Sequence, residues 1–80
     1  MNLTKRLMQN AGNLYVSFNS FECQHYNLKA GDKLILTVGG VELPKRTARQ
    51  QKTIIRVYIP RAYNNQFKAQ TLYDVSVRHA

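Results

Sequence analysis

Between Glu42 and Asp74 the chain carries Lys45, Arg46, Arg49, Lys52, Arg56, Arg61 and Lys68 and not one acidic residue. Side chains of this kind neutralise phosphates and release condensed counterions, so a basic strand, hairpin or loop laid on a duplex binds it with steep salt dependence. Arginine adds a planar fork that meets a guanine edge with two hydrogen bonds and fits a narrow minor groove. Arg46, Arg49, Arg56 and Arg61 are therefore the candidates for base readout. Lys5, Arg6, Lys45 and Lys52 are the candidate phosphate contacts. A positive run is also what a solvated face looks like, and the lack of interspersed acids is what weighs towards binding.

Other chemistry has less to stand on. Cys23 and His25 lack the further ligands that a four-coordinate metal needs, and His79 lies where a frayed terminus is expected, so no metal is expected. Ser17, Ser20 and His25 have no nucleophile and base spacing, and four scattered carboxylates make no acid and base pair, so neither a catalytic residue nor a cofactor is expected and the chain does not read as an enzyme. Gly39-Gly40 precedes no Lys-Ser and no helix start, which makes it a turn rather than a phosphate loop. Tyr15 and Tyr58 fall on the strand face opposite the expected core, which keeps a single-stranded nucleic-acid binder with stacked bases as an alternative. A further alternative, of another class, is an assembly or interaction subunit whose charge serves an acidic partner.

Eighty residues make one domain, 1–80, small enough that a homodimer is expected to help stabilise it. Twelve Lys and Arg against four Asp and Glu, a formal charge of +8, favour a polyanionic partner, nucleic acid above all. A hydrophobic fraction of 44% argues for a folded chain. The lone cysteine leans towards a reducing compartment. MNLTKRLMQNAG holds no apolar run of signal-peptide length and no segment approaches bilayer length, so a cytoplasmic protein with no membrane partner is expected.

The elements that must position these residues are mostly strands. Residues 3–9 are read as an opening strand, ended by the turn residues Asn10 to Asn13. Leu14, Val16 and Phe18 alternate with Tyr15 and Ser17 at strand period. Asn19 or Ser20 caps a short helix on which Phe21 and Tyr26 supply apolar contacts. Lys29 to Asp32 turn the chain into KLILTV, Gly39-Gly40 closes a hairpin, and Val41 to Leu43 return. Residues 44–52, PKRTARQQK, read as an exposed connection. TIIRVYI forms a strand that Pro60 ends, RAYNNQFK a helical turn, and residues 72–78 the last strand, with Tyr73, Val75 and Val77 on one face.

One pattern occurs twice. Residues 13–38 and 54–77 both run strand, short helical turn, strand, and Val16, Phe18, Phe21, Tyr26, Leu34, Leu36 and Val38 match Val57, Ile59, Ala62, Phe67, Tyr73, Val75 and Val77. The expected fold is mainly β, a small barrel built from the two strand, short helix, strand units. GNLYVSFNSFECQHYNLKAGDKLILTVGGVEL, with its capped turn, Leu-Lys-x-Gly-Asp loop and glycine hairpin, resembles the AbrB-type swapped-hairpin DNA-binding domain, and RVYIPRAYNNQFK resembles that family's strand, Ile-Pro and basic turn. The resemblance covers most of the chain. It implies strands interlocked in a small barrel, double-stranded DNA binding in transcriptional regulation, and a DNA side that includes Lys5, Arg6 and Arg61, with Asn64 and Asn65 following on the same turn. Ser17 stands where the family usually has Pro, Asn13 where a basic residue usually follows the glycine, and the second unit lacks the Gly-Asp loop.

Overall fold

The computed structural model describes residues 2–80. Among them the chain forms β1 (Asn2–Arg6), β2 (Met8–Asn10), β3 (Asn13–Phe18), α1 (Ser20–Tyr26), β4 (Lys33–Val38), β5 (Val41–Glu42), β6 (Arg46–Thr47), β7 (Arg49–Gln51), β8 (Ile54–Tyr58), a 3₁₀ helix (Arg61–Gln66) and β9 (Leu72–His79). No helix among the described residues is long and apolar enough to cross a membrane.

All strand pairs are antiparallel and fall into two sheets, β1-β9-β4-β5 with β6 also on β4, and β2-β3-β8-β7. These sheets are open, which corrects the expected closed barrel. The ladders stop at Leu7, between β1 and β2, and at Ala48, between β6 and β7. At both residues the backbone turns to a loop instead of a neighbouring strand. Leu7 N–H donates to Thr71 O at 3.1 Å and Leu7 O accepts from Gln70 N–H at 2.7 Å; Ala48 N–H donates to Asp32 O at 2.8 Å and Ala48 O accepts from Gly31 N–H at 2.9 Å. Both side chains are buried, so each kink carries the chain from one sheet to the other across the core.

Each of the two central ladders pairs a matched position of one half with its counterpart in the other. β3 and β8 place Val16 opposite Val57, and β4 and β9 place Thr37 opposite Ser76, which sit between the matched pairs Leu36/Val75 and Val38/Val77. Period-two alternation sends Val16, Phe18, Leu34, Val38, Val57 and Val75 inward, where with Leu7 they form the fully buried centre. Each such side chain contributes about 1.5–3 kcal/mol by leaving water. The β4–β5 hairpin has a two-residue loop, and Gly39 and Gly40, at φ +55° and +83°, supply the left-handed backbone that such a turn requires at both positions.

In α1 the Asn19 side chain accepts from Glu22 N–H at 2.8 Å and the Glu22 carboxylate accepts from Asn19 N–H at 3.0 Å, a reciprocal capping box. Phe21, expected to pack inward, is 76% exposed. At about 100° per residue, Phe21 and Tyr26 lie about 140° apart, so a seven-residue helix cannot turn both to the core; Cys23 and Tyr26 take the inner side.

Residues 44–52 are not merely an exposed connection, because β6 adds to β4, β7 adds to β8, and Ala48 is buried between them. The terminus is not frayed at His79 either. His79 pairs with Leu34, and Ala80 N–H donates to Lys33 O at 2.9 Å.

Candidate nucleic-acid interface

On the second sheet, alternation that sends Ile55 and Val57 inward turns Ile54, Arg56 and Tyr58 outward, and on β3 it turns Tyr15 and Ser17 outward. Register then assembles a layer of rings and guanidiniums. Tyr15 faces Tyr58, Ser17 faces Arg56, and Arg56 faces Arg49. The two tyrosine rings sit 5.3 Å apart, tilted by 50°. Arg56 lies over the Tyr15 ring at 4.4 Å and donates from Nη1 to the Tyr58 hydroxyl at 3.2 Å; Arg49 lies over the Tyr58 ring at 5.8 Å. Such contacts hold a guanidinium in place while leaving its charge intact. Hydrogen bonds from Arg56 and then Asn10 outweigh burial and hold the Tyr58 phenol below its ordinary pKa, helped by the charges of Arg56 and Arg49.

Next to this layer lies an open cleft of about 390 Å³ lined by Arg46, Arg49, Arg61, Tyr58, Asn10 and Asn13, with Ala11 and Ile59. Three elements bring the arginines together. Arg46 comes from β6, Arg49 from β7 beyond the kink at Ala48, and Arg61 from the first position of the 3₁₀ helix, which Pro60 starts by ending β8. Arg61 Nε donates to Asn13 Oδ1 at 3.2 Å, and Asn64 Nδ2 reaches Gly12 O at 3.5 Å, so the β2–β3 turn is docked on that helix. A smaller depression of about 230 Å³ shares Arg46, Arg49 and Tyr58 and adds Lys45 and Thr47.

The acids lie elsewhere. Among the described residues the ion pairs are Lys5 with Glu22 and Arg78 with Glu42, both at 2.8 Å, and the His79 ring lies 3.2 Å from the Asp32 carboxylate. None involves Lys45, Arg46, Arg49, Lys52, Arg56 or Arg61, so the charge of this face is not neutralised from within.

Of the residues singled out by sequence, Lys45, Arg46, Arg49, Arg56 and Arg61 are gathered around Tyr58. Lys52 sits in the β7–β8 turn, three residues beyond Arg49, with φ +56°. Lys5 and Arg6 lie on β1 of the other sheet. Lys5 Nζ donates to both Glu22 oxygens, at 2.8 and 3.0 Å, and lies 5.5 Å from the centre of the Phe18 ring, while Arg6 Nη1 donates to Gln70 O at 2.6 Å. Asn64 is partly buried and engaged with the turn, and Asn65 is exposed. Asn10 and Asn13, read from sequence only as turn residues, line the cleft because the turn they flank folds against the 3₁₀ helix.

Comparison with protein families, with curated proteins and with solved structures returns no match.

Proposed function

We propose that the protein binds double-stranded DNA through the outer face of the second sheet and the adjoining cleft, as a transcriptional regulator of the AbrB-like kind. The observation that carries this reading is the convergence of Arg46, Arg49, Arg56, Arg61 and Lys45 around Tyr58 with no carboxylate among them. Phosphates are the ligand that such a surface is built to neutralise, and arginine forks are also suited to base edges. With a longest dimension of 30 Å, one chain spans at most about nine base pairs, taking about 3.4 Å of axis per pair.

The burial of Tyr15 favours duplex over single strand. Tyr15 is only 7% exposed and lies beneath Arg56, so its ring is not open to a base. Both sheets also have edge strands, β1 and β5 in one, β2 and β7 in the other, and a homodimer that covers a pair of them would present two basic faces to one duplex. The test is a gel shift on duplex and on single-stranded DNA together with the mass of the protein in solution. The reading expects a duplex shift and a dimer mass. Preference for the single strand, or no shift at low salt, overturns it.

A further inference from the structure

We infer that the cleft between β6, β7, the β2–β3 turn and the 3₁₀ helix is a phosphate site, in which Arg46, Arg49 and Arg61 hold one phosphate group. The inference rests on the reading of this face as the DNA-binding surface and names the group that anchors it.

Three features converge on an anion. The first is the donor set: three arginines from separate elements line one cleft with Asn10, Asn13 and Tyr58, and no lining residue is acidic. Guanidinium and phosphate pair through two parallel charge-assisted hydrogen bonds, so convergent arginines recognise the group's shape as well as its charge.

The second is positioning. Arg49 is held over Tyr58, and Arg61 is held through Nε by Asn13, which leaves its terminal nitrogens for a ligand. Tyr58 is itself fixed by the hydrogen bond from Arg56, whose own guanidinium is stacked on Tyr15. Arg56 is thus a positioning residue for the ring under Arg49.

The third is cost. Arg49 and Arg56 are direct cross-strand partners, an arrangement in which like charges repel, and no acid relieves them. Local rules broken in this way concentrate at functional sites. An anion in the cleft relieves the repulsion, so it should stabilise the fold as well as bind.

The volume of about 390 Å³ admits a phosphate with part of what it is attached to, and two sources share that chemistry: a backbone phosphodiester of DNA and a free phosphate compound. They are separated by following the arginine Nε–Hε signals of the intact protein by NMR. Inorganic phosphate is added at constant ionic strength against chloride, and a short duplex is added in a parallel series.

The expected result is that the signals of Arg46, Arg49 and Arg61 move together and saturate with phosphate, those of Arg6 and Arg78 do not, and the melting temperature rises with phosphate but not with chloride. Arg46→Gln or Arg61→Gln should weaken phosphate binding about tenfold or more, the loss of a charge-assisted contact, and Arg78→Gln should leave it unchanged. Shifts that grow linearly and equally at all arginines overturn the proposal. If phosphate saturates the cleft and the duplex does not bind, the site stands and the DNA reading falls. If the duplex binds without moving the three signals, the DNA reading stands and the phosphate site is lost.

Discussion

Replacing Arg61 with glutamine removes one cation from the cleft with little else attached to it. The residue is exposed, begins the 3₁₀ helix, and makes one side-chain hydrogen bond, from Nε to Asn13 Oδ1 at 3.2 Å. A surface change of this kind shifts stability by no more than about 0.5 kcal/mol. Each phosphate contact on B-DNA adds about 0.9 to the slope of log affinity against log salt, so at about 0.1 M salt one contact is worth about eightfold in affinity, or about 1.2 kcal/mol, relative to 1 M. Because Arg46 and Arg49 still face the same phosphate, R61Q should bind a duplex up to about eightfold more weakly at about 0.1 M, approach the parent protein near 1 M, and show a slope up to about 0.9 less steep. Fluorescence anisotropy of a labelled duplex over a salt series reads all three quantities. R78Q is the control, since Arg78 is occupied by Glu42 at 2.8 Å. The reasoning is refuted if R61Q matches the parent at every salt, if R78Q loses as much, or if R61Q loses equally at all salts, which would indicate a structural defect rather than a lost phosphate contact.

Asn19→Ala removes the side-chain half of the capping box on α1 and should cost about 1 kcal/mol, or about 4–8 °C in melting temperature, with duplex affinity unchanged. Stability should also fall in acid. Glu22 is held below its ordinary 4.5, because hydrogen bonds from Lys5 and the Asn19 amide outweigh burial, and Asp32 is held below its ordinary 3.8 chiefly by the Lys29 amide. Both carboxylates bind protons less readily folded than unfolded, so their stabilisation is complete above the ordinary values and disappears as pH drops through the lowered ones; denaturant melts at pH 7 and below pH 4.5 check it, and equal midpoints would contradict it. The Cys23 thiol is pushed up by burial and by the charge of Glu22, so iodoacetamide should alkylate it more slowly at neutral pH in the native protein than after unfolding, as read by mass spectrometry.

How much of this was legible beforehand depended on the length of each element. β3, β4, β8 and β9 run five residues or more; β4 and β8 alternate buried and less buried side chains, and β3 and β9 alternate in residue type, so periodicity shows them in the sequence. Asn19 and Gly39-Gly40 announce themselves because a cap and a tight hairpin demand those residue types. β6 and β7, with two and three residues, are too short for a period, and their pairing is supplied by β4 and β8. Whether the sheets close was not legible at all, since it turns on what Leu7 and Ala48 bond to across the chain.

The candidate site divides in the same way. That Arg46, Arg49, Arg56 and Arg61 share a chemistry follows from a stretch without acids. Their meeting around Tyr58 follows from the kink at Ala48 and the register of Arg49 with Arg56, which composition does not encode. Lys5 shows the converse: a cation that looks free in the sequence is paired with Glu22, seventeen positions away, once β1 packs beside α1.

The most direct test of the account is the salt dependence of duplex binding by the intact protein, measured beside a single strand of the same sequence. If the cleft of Arg46, Arg49 and Arg61 holds one phosphate and Lys45 meets a second, the slope of log affinity against log salt is about −1.8 per chain, and the duplex is preferred. A slope near zero, a preference for the single strand, or no duplex binding at low salt would contradict it.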